Sequence, residues 1–102
     1  MNDHKQRLTP DQIAAANLVG WEQVEDTIQA EFDTGDFATG LRLLNLIGES
    51  AEAANHHPDL TLTYPSLAVT LSSHDIGGLS SRDVDLARQI NEHAASLGVE
   101  HA

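Results

Sequence analysis

Residues 37–55 limit the fold more than any other stretch. Phe37, Leu41, Leu44 and Ile47 recur at three- and four-residue steps, and Leu43, Ile47, Ala51 and Ala54 widen the apolar stripe. That period marks one face of a helix, and a stripe this long needs a large apolar partner. Asp36 stands where an N-cap belongs. Pro58 disfavours helical geometry at His57, so the helix is expected to end near Asn55–His56, leaving His56 and His57 at its C-terminus. Gly40 and Gly48 each weaken the helix by about 1 kcal/mol relative to Ala, and both leave room for close approach to a sheet.

The partner is a sheet. Thr27–Asp33 alternates, with Ile28, Ala30 and Phe32 on one side and Gln29, Glu31 and Asp33 on the other, and Trp21–Val24 precedes it across a short turn. Leu60–Tyr64 and Leu67–Ser73 alternate likewise around Pro65-Ser66, so two hairpins are predicted. A first helix starts at Thr9-Pro10-Asp11-Gln12, where Thr9 and Gln12 form a capping box, and it is expected to run through Leu18 to a stop at Gly20. A last helix starts at Ser80, with Asp83 in capping-box position and Leu79 and Val84 as a hydrophobic staple, and ends at Gly98. The order α-β-β-α-β-β-α implies an α+β fold, a four-stranded antiparallel sheet with three helices on one face. Residues 1–8 are expected to be disordered, and 9–98 to form a single domain. The sheet's other face has no helix left to cover it, so self-association through that face or an edge strand is expected.

Bulk properties exclude several function classes. The chain of 102 residues carries 16 acidic and 5 basic residues, a net charge of −11. Such a field repels a phosphate backbone, so no direct nucleic-acid binding is expected. With no cysteine, neither a disulfide framework nor a thiolate metal site can form. No apolar run approaches the roughly 20 residues of a membrane span. Met1–Lys5 lacks the apolar core of a signal peptide, and a cytoplasmic location is expected.

Chemistry concentrates in one window. His56, His57 and His74 lie there, flanked by Glu52 and Asp83, with Arg82 beside Asp83. Histidines titrate near neutral pH, so the cluster suits proton transfer. Glu52 is four residues before His56 on one helical face, where it can orient the imidazole. Each residue also has a plainer role. Histidines at a helix C-terminus favour the dipole, Glu52 can be a solvated helix pair, and Asp83 can be only a cap. Tyr64 can be an ordinary sheet aromatic, His74 a strand terminus and Arg82 a surface charge. A metal site with three histidines and a carboxylate is the other sharp alternative. Adjacent histidines rarely share one ion, and no His-x-x-x-His or Glu-x-x-His spacing occurs here. No metal is therefore expected.

Glu52, His56-His57-Pro58, Tyr64, His74 and Asp83 stand at the spacings of one family signature. In it an acidic residue precedes His-His-Pro, followed by an aromatic, a His and an Asp. In this respect the chain resembles the pterin-4a-carbinolamine dehydratases. Leu8-Thr9, Gly20-Trp21, Phe32, Asp36-Phe37, Thr70–His74 and Gly78–Asp83 extend the resemblance over roughly residues 8–97. It implies three helices on a four-stranded antiparallel sheet, homodimers or homotetramers, and no cofactor. It also implies a lyase that dehydrates a 4a-hydroxytetrahydropterin to the quinonoid dihydropterin, in tetrahydrobiopterin recycling. The implied catalytic set is His56, His57, His74 and Asp83, with Glu52, Pro58, Tyr64 and Arg82 in support. Acid–base work would fall chiefly to His56 and His74. His57 would orient the pterin, Asp83 would hold a histidine or bind the ring, and Glu52 would tune His56. Many members carry Trp two residues after the Pro, where this chain has Leu60. Some relatives serve as dimerisation cofactors of a homeodomain transcription factor, so a non-catalytic binding module of the same fold is the alternative.

Overall fold

The structure, a computed structural model, describes residues 6–102; the expected disorder of residues 1–8 thus falls mostly outside the described residues. The elements run α1 (Pro10–Ala15), β1 (Glu22–Val24), β2 (Thr27–Asp33), α2 (Phe37–Ala54), β3 (Asp59–Thr63), β4 (Ser66–Leu71) and α3 (Ser81–Ser96). A 3₁₀ turn, His74–Ile76, lies between β4 and α3, and β5 (Glu100–His101) closes the chain. The α+β class and the α-β-β-α-β-β-α order hold, with a fifth short strand added to the sheet.

The sheet order is β1-β2-β4-β3, all antiparallel, and β5 pairs with the far end of β2. In the β2–β4 ladder Ile28 faces Leu71, Ala30 faces Val69 and Phe32 faces Leu67, and all six side chains are buried. Their neighbours Gln29 and Glu31 point the other way into solvent. Period-two alternation therefore places one apolar layer under the helices.

On α2 the buried stripe is Gly40, Leu43, Ile47 and Ala51. Phe37 and Leu41, expected in that stripe, are 48% and 43% exposed. The stripe that meets the sheet is centred one helical row away, because Gly40 lies where the backbone comes nearest to β3. A Cβ at Gly40 would fall 2.6 Å from Leu62 Cδ1. Gly48 shows no such approach, since a Cβ there meets nothing within 4 Å among the described residues. Val84, Ala87, Ile90 and Ala94 bury the matching face of α3, which packs on α2.

α1 is shorter than expected. Its capping box forms as read, with Thr9 accepting from the Gln12 N–H and the Gln12 side chain accepting from the Thr9 N–H. Yet it stops at Ala15, because Asn17 adopts a left-handed φ of 53°, a conformation Asn tolerates better than most residues. Gly20, expected as the helix stop, instead lies under β5. It has a φ of 82°, and a Cβ there would sit 2.2 Å from the His101 ring.

His101 makes β5 sensitive to acid. Its ring lies 4.5 Å from that of Phe32, and its Nδ1 is buried without a hydrogen-bond partner among the described residues. Burial holds its pKa below the usual 6.5. The unfolded chain then binds the proton more tightly than the folded one. This contribution is complete above about pH 6.5 and is lost as pH falls from there toward the folded value. Urea midpoints measured across that range should fall more steeply for the wild-type chain than for His101→Phe. Equal slopes would refute the assignment.

Candidate functional site

Three elements deliver the site. At the end of α2, Asn55 turns left-handed (φ 49°), and the His56 N–H bonds the Ala51 carbonyl at 3.1 Å, a Schellman-type closure. That turn separates the two histidines. His56 goes inward and is 8% exposed, while His57 stays outside.

His56 Nε2 lies 2.6 Å from Asp83 Oδ1. Asp83, in the first turn of α3, is wholly buried. Its Oδ2 accepts from the Ser80 N–H at 3.0 Å and from the Ser73 hydroxyl at 2.7 Å. A buried carboxylate needs such partners. Asp83 is thus both the capping-box partner of Ser80 at the start of α3 and the residue that holds His56. A carboxylate is an acceptor only, so it selects the tautomer with the proton on Nε2 and leaves the Nδ1 lone pair available.

The network continues outward. Ser73 and Ser80 hydroxyls are 2.8 Å apart, and Ser80 Oγ accepts from Arg82 Nε at 3.1 Å. Arg82 Nη2 donates to Asp75 Oδ1 at 2.7 Å. His74 follows Ser73 directly, begins the 3₁₀ turn and is exposed, with Nε2 3.4 Å from Ser72 Oγ. Two hydrogen bonds therefore link His56 through Asp83 to the residue next to His74.

Glu52 pairs with His57, at 2.5 Å between Oε2 and Nε2, and not with His56 as the four-residue spacing suggested. The reason is the left-handed Asn55. It takes His56 off the helical face where Glu52 projects, and the next residue returns to it. Pro58 is half-buried just before β3. Tyr64 is not brought to this group. It sits 72% exposed in the β3–β4 turn, at the opposite end of β3 from Pro58, about 20 Å away at 3.3 Å per residue.

Among the described residues no three His, Cys, Asp or Glu side chains converge in a metal-binding cluster. Among the described residues no helix is long and apolar enough to cross a membrane. Ser73 and Ser80 are the members of this hydrogen-bond network that sequence reasoning passed over. Ser80 carried a signal as N-cap, whereas Ser73 carried none beyond its polarity inside an alternating strand.

The model of the pterin 4 alpha carbinolamine dehydratase family matches residues 6–93. The chain belongs to that family. A protein provisionally named pterin-4-alpha-carbinolamine dehydratase from Thermosynechococcus vestitus is 41% identical over 91 residues, covering 87% of this chain and 96% of its own. A likewise named protein of Nocardia farcinica is 40% identical, covering 85% and 94%. A crystal structure described as a transcriptional coactivator/pterin dehydratase from Brucella melitensis superposes with a TM-score of 0.84 at 31% identity, covering 87% of this chain and 99% of that one. A pterin dehydratase-like protein identified as a RuBisCO assembly factor in the alpha-carboxysome shares the fold alone, with a TM-score of 0.61 at 13% identity.

Proposed function

We propose that the chain is a lyase that dehydrates 4a-hydroxytetrahydropterins to quinonoid dihydropterins. The observation that carries this is the His56–Asp83 pair, buried and tautomer-selected, linked through Ser73 to the neighbourhood of exposed His74. Dehydration breaks the C4a–O bond, delivers a proton to the departing hydroxyl and removes one from N5. Two imidazoles on different sides of the pterin can do both. His56 and His74 take that acid–base work, and His57, held by Glu52, orients the ring. Arg82 and Pro58 border the same site. Asp83 acts through His56 and is a positioning residue. None of these steps calls for a metal or organic cofactor. Tetrahydrobiopterin recycling in the cytoplasm is the setting this chemistry suits. The test is conversion of chemically generated 4a-hydroxytetrahydropterin, followed as quinonoid dihydropterin absorbance. A rate equal to the buffer rate would overturn the proposal.

A non-catalytic binding module of the same fold is the second possibility. The coactivator half of the Brucella melitensis description and the exposed Phe37 and Leu41 favour it. A stable partner together with no pterin binding by calorimetry would decide for it. Homodimer or homotetramer formation fits either function. The outer sheet face bears Gln29, Glu31 and Thr61, so the exposed apolar row of α2 and the β3 edge are the better supports for association. Sedimentation equilibrium should give two or four chains, and Leu41→Glu should lower that number.

A further inference from the structure

Ser73 touches both halves of the site without taking part in a proton transfer. It is buried two residues beyond β4, on an extended backbone (φ −110°, ψ 92°). Its main chain closes the loop that carries His74. The Ser73 N–H donates to the Gly78 carbonyl at 2.8 Å, and the Ser73 carbonyl accepts from the Ile76 and Gly78 N–H groups at 3.2 and 3.3 Å. Its side chain belongs to the other half, donating to Asp83 Oδ2 at 2.7 Å, while Asp83 Oδ1 holds His56.

The protons of the hydroxyls here have one direction. Ser80 Oγ accepts from the Arg82 backbone N–H at 3.2 Å and from Arg82 Nε at 3.1 Å, which occupies both of its lone pairs. Its single proton therefore goes to Ser73 Oγ, 2.8 Å away, and Ser73 gives its own proton to Asp83. Arg82, Ser80, Ser73 and Asp83 thus form one polarised line from a guanidinium to a buried carboxylate, and bonds in such a line strengthen one another. The loop has a second tie to α3, from Asp75 to Arg82 at 2.7 Å, but it lies nearer solvent and restrains less.

We propose that Ser73 is a positioning residue that sets His74 relative to His56, the proton it donates fastening the His74 loop to Asp83. The inference rests on the dehydratase assignment, in which the two imidazoles serve one substrate. They come from separate elements, and a displacement of about 1 Å between catalytic groups can cost about 100-fold in rate. A hydroxyl that fastens one to the other therefore acts on kcat rather than on substrate binding.

Ser73→Thr, Ser73→Cys and Ser73→Ala separate donor strength from size. Thr keeps the hydroxyl and suits an extended backbone, whereas Cys keeps nearly the same size with a weak donor. Ala removes the donor but leaves Asp83 the Ser80 N–H, so the start of α3 survives. Amide hydrogen exchange is read at position 73 and Gly78 relative to the β2–β4 ladder, and kcat and KM are read with a 4a-hydroxytetrahydropterin. Loop exchange should be at least about tenfold faster in Ser73→Ala, the scale of one lost hydrogen bond, intermediate in Ser73→Cys and near wild type in Ser73→Thr. In the same order kcat should fall, by at least about tenfold in Ser73→Ala, with KM little changed. A ranking by side-chain volume would overturn the proposal, as would faster exchange spread evenly over the whole chain or faster loop exchange with wild-type kcat. Loop loosening in the variants of a chain that shows no turnover even with Ser73 in place would sink the dehydratase assignment and leave the fastening of the loop standing. Wild-type turnover with exchange and kcat unchanged in all three variants would do the reverse.

Discussion

Replacing His74 or His57 with Ala is expected to lower kcat/KM for a 4a-hydroxytetrahydropterin by at least about 100-fold, the lower range for a lost acid–base or orienting group. Both side chains are exposed, and neither contributes to the core. Folding stability should therefore shift by no more than about 0.5 kcal/mol in either variant, as for other surface changes. That separation makes the experiment decisive, because a loss of activity cannot then be blamed on unfolding. The two variants should also differ. His74→Ala removes a proton-transfer group, so kcat falls and one limb of the pH–rate profile disappears. His57→Ala removes an orienting group, so KM rises as well. Wild-type turnover in both variants would eliminate the catalytic roles. His56→Ala is the weaker test, since it opens a hole beside a buried carboxylate.

Local chemistry explains what could be read in the sequence and what could not. The α3 start was legible because Ser80 and Asp83 satisfy one another across three residues, and the structure forms that capping box. The β2 and β4 faces were legible because their alternation has a period of two and six apolar residues fall on one side. β5 was not, because two residues, Glu100 and His101, carry no period at all. The partner of Glu52 was misassigned for a related reason. Helical spacing holds only while the helix lasts, and left-handed Asn55 ends it one residue before His56. Phe37 and Leu41 shared the helical period of the buried row, and only the packing of α2 against α3 and β3 separates the two rows. Ser73 needed the fold itself, since its hydroxyl meets Asp83 only when the end of β4 is laid against α3.

Asp83 should show two distinct losses, depending on the replacement. Asp83→Ala strips the Ser73 hydroxyl, the Ser80 N–H and His56 Nε2 of their acceptor inside the core. Each buried donor left unsatisfied costs about 1–3 kcal/mol. With partial relaxation a net loss of about 3 kcal/mol is expected, or roughly 15 °C in Tm for a chain of this size. Asp83→Asn should behave otherwise. Its carbonyl oxygen can still accept from Ser80 and Ser73, so most of the stability remains. Its amide, turned toward His56, donates where the carboxylate accepted, which forces the imidazole into the opposite tautomer with the proton on Nδ1. His56 can then no longer take a proton through that nitrogen. Activity should fall by at least about 100-fold while Tm changes little, the pattern that exchanging a tautomer-holding Asp for Asn produces in other His–Asp pairs. Chemical denaturation, calorimetry and the pH dependence of kcat/KM separate the two outcomes. If Asp83→Asn kept full activity and the wild-type pH profile, Asp83 would be a helix cap and nothing more.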